Sequence, residues 1–382
     1  MVIKDWIRIP CTIMRGGTSK GIYMLGNDLP ADPVKRDKVI LAIFGSPDSR
    51  QIDGLGGADP LTSKLAIIDR SVRTDADVDY TFGQVEINRS YVDYSSNCGN
   101  ISSGVGPFAI EQSLVKAVEP ITTVRIYNTN TRKVFEEDVP VKDGKPAVKG
   151  DFKIDGVPGS GARIAINMAG TIGAKTGTLL PTGNPRDTIE VEGCGRLEVS
   201  MLDAGSPMVF VRAADIGLKG TEGPKDIDGD PAMLEKLEAI RCTASVIMGI
   251  APDVKTAREN IRAVPMVCFV SPAADYESHI TGETVGAENV DLVSRDMFMG
   301  IMHKTYSGTA SVCTTCAAAT DGTIVSEVIG HCVKNGQLRI GHPGGVMITD
   351  VAVKDGSITK AAYGRTARRI MEGYVYVPSD IM

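Results

Sequence analysis

The 382-residue sequence contains no run approaching the about eighteen apolar residues that a helix needs to cross a bilayer. Its first residues, Met1-Val2-Ile3-Lys4-Asp5-Trp6, lack a basic segment followed by an apolar one, so no secretory signal is expected. Together these place the protein in the cytoplasm and off the membrane. Basic residues do not gather into a face, and the formal net charge is -6. A reader of the phosphate backbone needs such a face, so nucleic acid is excluded as a partner. The short cluster Arg365, Arg368 and Arg369 is expected to line one helix face and pair with carboxylates.

Metal and redox signatures are also missing. The eight cysteines, at 11, 98, 194, 242, 268, 313, 316 and 332, are too sparse for a disulfide framework. Cys313-Thr314-Thr315-Cys316 has CxxC spacing, but neither a second CxxC nor a His pair completes a zinc site. Ala317-Ala318-Ala319 follows, so this segment is expected to be a buried helix of small residues with its thiols packed as apolar groups. No metal and no cofactor are expected. A hydrolase triad is unsupported, and no GxGxxG follows a strand to hold a dinucleotide. Gly16-Gly17-Thr18-Ser19-Lys20-Gly21 lacks the order of a phosphate loop, and its hydroxyls suit a carboxylate equally well. His342, in Gly341-His342-Pro343-Gly344-Gly345, has no acid partner at a telling spacing and is read as structural.

What is present is a globular composition, 42% apolar and 23% charged, over a length that predicts two domains. β-rich segments alternate with a few helices. Asp143-Gly144, between alternating runs 137–141 and 147–149, predicts a hairpin turn, and Asp155-Gly156 follows the same logic. Asp32 as cap, Pro33 at the first helical position and Gly45 as stop predict a helix. An amphipathic helix is predicted over 231–249. Segments 98–115 and 308–319 are small and uncharged all round, which predicts helices enclosed by other structure, with Pro107 kinking the first or marking a boundary in it. An internal repeat supports two similar halves. Arg15-Gly16-Gly17-Thr18-Ser19 precedes an apolar run and then Cys98-Gly99-Asn100. Asp203-Ala204-Gly205-Ser206-Pro207 precedes another apolar run and then Ser307-Gly308-Thr309.

Two residues stand out chemically. Cys98 falls at a predicted helix start, where backbone N–H groups and the dipole favour an anion, either a thiolate or a bound carboxylate. Gly99 and Asn100 beside it permit close backbone approach. Lys64 ends the Gly-rich run Gly54-Leu55-Gly56-Gly57-Ala58-Asp59-Pro60-Leu61-Thr62-Ser63, where the loop enters a strand and the segment alone admits either a solvated surface lysine or a partly desolvated ammonium.

These motifs, with Gly45-Ser46-Pro47-Asp48, Gln51-Ile52-Asp53-Gly54, Pro181-Thr182-Gly183-Asn184 and Ala367-Arg368-Arg369-Ile370-Met371-Glu372-Gly373, resemble the 2-methylaconitate and 3-methylitaconate isomerase family over almost the whole chain. The resemblance implies an α+β fold like diaminopimelate epimerase. Its two pseudo-symmetric domains are each a β-barrel-like sheet around a central helix, with the active site in the cleft between them. The expected boundaries are 1–183 with the tail 374–382, and 184–373, the tail adding a strand to the first domain.

The resemblance carries catalytic roles onto Ser19, Lys64 and Cys98. It implies substrate contacts from Thr18, Ser63, Asn97, Gly99, Asn100, Ser307, Gly308 and Thr309. Epimerases of this fold use one cysteine per domain, and the second position falls at Ser307. That departure argues against racemisation by a thiol pair and leaves Lys64 as main base, with Cys98 as acid or anchor. The implied reaction is an allylic proton shift on a small unsaturated di- or tricarboxylate. The methylitaconate Δ-isomerases look most similar; they interconvert 2-methylene-3-methylsuccinate and 2,3-dimethylmaleate in anaerobic nicotinate breakdown. The alternatives are isomerisation of 2-methylaconitate, tautomerisation of 4-oxalomesaconate and, in another class, a non-catalytic carboxylate binder. A homo-oligomer is expected.

Overall fold

The N-terminal apolar runs form two antiparallel strands, β1 (Trp6–Gly16) and β2 (Ser19–Leu25), turning at Gly17-Thr18. The computed structural model describes residues 5–94 and 98–381. Helix α1 (Pro33–Phe44) follows, with Asp32 accepting from the Lys35 amide and Gly45 closing it at φ 73°, as its end signals predict. β3 (Lys64–Arg70) runs parallel to β2, and β4 (Val78–Val85) antiparallel to β3.

The single helix predicted over 98–115 is two, α2 (Gly99–Ser102) and α3 (Val105–Glu111). The interruption falls at Ser103-Gly104, against Tyr23: a Cβ on Gly104 would lie 2.3 Å from the tyrosine oxygen. Pro107 does not kink a continuous helix; it falls just after the boundary. It sits in the first turn of α3, where proline leaves no amide unsatisfied. β5 (Ile121–Asn128) pairs parallel with β4, and β6 (Lys133–Lys142) antiparallel with β5. Asp143 and Gly144 both take positive φ, 55° and 71°, as a tight hairpin requires, but the returning strand is only Lys145–Pro146.

The same order recurs. β7 (Gly195–Ala204) and β8 (Ser206–Arg212) are antiparallel. After α4 (Pro231–Ile247), β9 (Met266–Pro272) runs parallel to β8 and β10 (Leu292–Phe298) antiparallel to β9. Helix α5 (Gly308–Ala318) is buried at every residue from Ala310 to Ala318, Cys313 and Cys316 included. Only small uncharged side chains allow such close enclosure. β11 (Asn335–His342) is parallel to β10 and β12 (Gly345–Lys354) antiparallel to β11. His342 is buried, stacked on Tyr306, and accepts from the Gly344 amide through Nδ1. The last long strand, β13 (Ala367–Pro378), pairs with β1 from Trp6↔Pro378 to Gly16↔Ala367.

The chain thus forms two α+β units, Met1–Ile166 with Gly364–Met382, and Asn167–Tyr363. Both boundaries differ from the expected 183 and 374. Residues 167–183 are tied to unit 2 by Asp203, whose carboxylate accepts from the Lys175 and Thr176 amides and whose carbonyl accepts from Gly173. The return to unit 1 begins earlier because β13 follows β1 throughout. Arg368 and Arg369 therefore lie on a strand and Arg365 ends another, not on the predicted helix face. The carboxylate pairing holds for Arg369, which bonds Glu111.

The strand registers of the two units correspond. With Ser19 matched to Ser206, the pair Gly21↔Lys64 matches Met208↔Met266, and Ala66↔Phe82 matches Cys268↔Asp296. An independent check comes from ion pairs. Arg125 clasps Asp77 through its amide, Nε and guanidinium, and Arg339 clasps Asp291 in the same way. Among the described residues, no helix is long and apolar enough to cross a membrane.

Candidate active site

Lys64 is the first residue of β3 and is only 8% exposed. Its ammonium donates to Gln84 Oε1 at 2.7 Å and lies 5.3 Å from the centre of the Phe82 ring. Both partners come from β4, because Lys64 pairs with Gln84 and residues two apart share a face. Among the described residues no carboxylate forms an ion pair with it. Gln84 is in turn fixed by donating to the carbonyls of Pro60 and Ser63. Neither Gln84 nor Phe82 was a sequence candidate. Only the register of β3 against β4 reveals them.

Ser19 opens β2 on the same face, two residues from the Gly21 that pairs with Lys64. It is 2% exposed, and its hydroxyl has no hydrogen-bond partner among the described residues. The face meets α2: a Cβ on Gly21 would lie 2.9 Å from Ile101 Cδ1. The Gly16–Thr18 turn presses on the start of that helix. A Cβ on Gly17 would fall 2.2 Å from Asn100 Oδ1, and the Thr18 amide donates to the same oxygen at 3.4 Å. Arg365 Nε donates to it as well, at 3.1 Å. Arg365 is buried and holds Asn100 from 265 residues away, a link that no local motif announces.

Cys98 is the N-cap residue of α2, partly buried, and its side chain makes no capping bond. Its carbonyl accepts from the Ser102 hydroxyl. Because α2 has only four residues, the dipole expected behind Cys98 is that of a single turn. Gly99 and Asn100 form that turn; Asn97 lies outside the described residues. Ser63 departs from its expected role. It is fully buried, accepting from Gln51 Nε2 and donating to the Val85 carbonyl, so its hydroxyl serves the loop. The Gly-rich run is organised by the same buried Gln51, whose Oε1 accepts from the Ala58 amide.

Unit 2 presents a second helix start. Ser307 caps α5, its hydroxyl accepting from the Ala310 amide at 3.0 Å and lying 3.4 Å from the Thr309 hydroxyl. A Cβ on Gly308 would come within 2.8 Å of the Tyr363 ring, so the turn tolerates no side chain there. Gly205 abuts Thr309 much as Gly17 abuts Asn100. Cys98 and Ser307 therefore hold equivalent cap positions with different employment: the serine oxygen is used in capping, and the cysteine sulfur is not. A cavity of about 190 Å³ in unit 1, lined by residues including Cys11, Tyr23, Phe108 and Tyr374, touches none of the candidate residues. Among the described residues, no cluster of His, Cys, Asp and Glu could hold a metal.

Two barrel-like units, each around a central helix, define the diaminopimelate epimerase-like class of folds. Residues 6–378 match the family described as PrpF protein, and the chain belongs to that family. It is 56% identical over 375 residues to a 3-methylitaconate isomerase of Eubacterium barkeri, covering 98% of both chains. It is 40% identical to a 2-methyl-aconitate isomerase of Shewanella oneidensis, covering 97% of both. A crystal structure of a methylitaconate-delta-isomerase superposes with a TM-score of 0.94 at 55% identity, covering 99% of this chain and 97% of the other.

Proposed function

We propose that this protein is an isomerase that moves a carbon–carbon double bond in a small unsaturated dicarboxylate by a 1,3-proton shift, with 2-methylene-3-methylsuccinate and 2,3-dimethylmaleate as the substrate pair. The observation that carries the reading is Lys64. A buried ammonium ordinarily has a carboxylate partner, because losing water is costly for a charge. Here the described surroundings offer an amide oxygen and an aromatic face. A substrate carboxylate supplies the missing charge. Relatives at 56% and 55% identity, named for methylitaconate isomerisation, support the same chemistry.

In its neutral amine form Lys64 takes the proton beside the carboxylate and becomes the ammonium that the substrate's negative charge pairs with. The electron pair delocalises through the double bond onto carboxylate oxygens, and the proton is returned two carbons away, so atoms and charge balance without an oxidant. Ser19 offers its hydroxyl, without a partner among the described residues, to the developing charge, and Cys98 anchors or protonates. Asn100, Gly99 and Thr18 shape the turn around the substrate. Ser307, Gly308 and Thr309 receive a carboxylate at the start of α5. A cytoplasmic location and a homo-oligomeric state belong to the same proposal, the latter tested by sedimentation.

The decisive measurement is proton NMR in deuterated buffer with a panel of unsaturated di- and tricarboxylates. Wild-type protein exchanges the allylic protons of 2-methylene-3-methylsuccinate fastest and converts it. Lys64→Ala lowers turnover by about a thousandfold with its fold intact. Preference for 2-methylaconitate or 4-oxalomesaconate replaces the substrate assignment. Absence of exchange with every compound replaces catalysis by carboxylate binding.

A further inference from the structure

Asp296 is the one acid in unit 2 whose burial the fold leaves unexplained. It has no exposed surface, and no hydrogen bond of normal length reaches either carboxylate oxygen. Such a group is costly to bury and calls for a reason. The comparable acid of unit 1, Glu137, has one: it accepts from the Gly106 amide at 2.8 Å and so fastens α3.

Position supplies the reason for Asp296. Its register equivalent in unit 1 is Phe82, the residue beneath the Lys64 ammonium. Asp296 thus lies at the corresponding place of unit 2, and the backbone amide of Ser307, the cap of the eleven-residue helix α5, is turned toward it. Burial pushes its carboxyl up from the ordinary range, against the opposing pull of His303 and the Ser307 amide. An ionised carboxylate here would take up the positive end of the helix and meet an incoming carboxylate with like charge. A neutral one leaves that end available.

We propose that Asp296 is a positioning residue: a neutral carboxylic acid behind the start of α5, faced by the Ser307 amide, that leaves the amides of Gly308 and Thr309 to a substrate carboxylate. This rests on the proposed function, in which that helix start receives the substrate. The charged or titratable groups facing Asp296 are Cys268 on β9, Arg295 on its own strand, and His303 and Tyr306 on the segment entering α5.

The test uses the full-length protein. Asp296→Ala raises KM about tenfold with kcat changed less than threefold. Asp296→Asn, which restores a neutral hydrogen-bonding group, recovers KM to within about threefold. In wild type KM climbs at alkaline pH as the acid ionises, and in Asp296→Asn it does not. Carboxyl carbon-13 NMR of aspartate-labelled protein, assigned by difference from Asp296→Asn, shows a protonated carboxyl at pH 7. An ionised signal at pH 7, an unchanged KM in Asp296→Ala, or an asparagine that fails to rescue overturns the proposal. Wild-type protein inactive on every carboxylate would instead refute the proposed function, and the NMR signal would still decide whether Asp296 is a neutral acid.

Discussion

The two units share a strand order and differ in what they place on it. Matched registers set Lys64 against Met266, Phe82 against Asp296 and Cys98 against Ser307. Even the fastening of the central helix changes chemistry at one position. In unit 1 Glu137 accepts from the Gly106 amide, and at the matching place in unit 2 Thr349 bonds the hydroxyl of Thr315 at 2.6 Å. The frame is therefore constrained by backbone pairing, which is indifferent to side chains, whereas the helix starts have diverged. A buried cation stands near one and a buried acid near the other. Symmetric proton exchange by paired thiols would need like groups in both places, and this pair of units has unlike ones.

The sharpest way to break that comparison is to give unit 1 the residue of unit 2. Lys64→Met should lower kcat by about a thousandfold in the NMR assay, because it removes the proposed proton carrier while an aliphatic chain fills the same space. The thermal midpoint should not fall, since a buried charge without a carboxylate partner leaves with it. Adding Met266→Lys to that variant should not restore turnover, because the matching neighbour there is Asp296 and not Phe82. Recovered activity in the double variant would make the two units interchangeable and end the division of roles.

A smaller effect is expected at the turns. Gly17 has φ 51° and its added Cβ would meet Asn100 Oδ1 at 2.2 Å and Arg365 Cδ at 3.1 Å; Gly205 has φ 69° and would meet the Thr309 carbonyl at 2.9 Å. Alanine at either position should cost about 1–3 kcal/mol in backbone strain and overlap. Only Gly17→Ala should also disturb the side-chain link from Arg365 through Asn100 to Thr18. Its kcat should fall about ten- to a hundredfold, as displacements near an ångström do, and that of Gly205→Ala less than threefold. Urea melts and turnover on the same samples separate the two effects. Equal losses of kcat would mean that both helix starts orient reacting groups.

Much of this was legible in the chain. Asp32, Pro33 and Gly45 end α1 through local chemistry, and Cys98, Ser307 and the two Gly-rich turns could be paired by order alone. Lys64 was correctly seen at the start of a strand, but its setting was not, since Gln84 and Phe82 reach it across a register that no local pattern encodes. Arg365 was misplaced on a helix because three arginines within five residues fit a helix turn as easily as a strand. The unit boundaries moved because they depend on the capture of residues 167–183 by Asp203 and on the length of the β1–β13 pairing. Ser63 shows the limit of motif reasoning: a hydroxyl beside the buried lysine is consumed by its own loop.

The smallest effect concerns an ion pair that both units retain in full. Asp77 and Arg125 are 48 residues apart, and so are Asp291 and Arg339. That equal spacing is the signal that could have fixed the repeat from sequence. In each pair the carboxylate also accepts the arginine amide, so the acid joins two parallel strands at the sheet as well as forming an ion pair. The arginines are substantially exposed, at 43% and 40%, so solvent screens most of the charge interaction. Asp77→Ala and Asp291→Ala should each cost about 1 kcal/mol and lower the thermal midpoint by about 2–4 °C. The two shifts should agree within a degree, with kcat unchanged, because the pairs hold frame and touch no reacting group. A much larger loss for one of them, read by calorimetry at matched salt, would show that the units share this geometry without sharing its energetic weight.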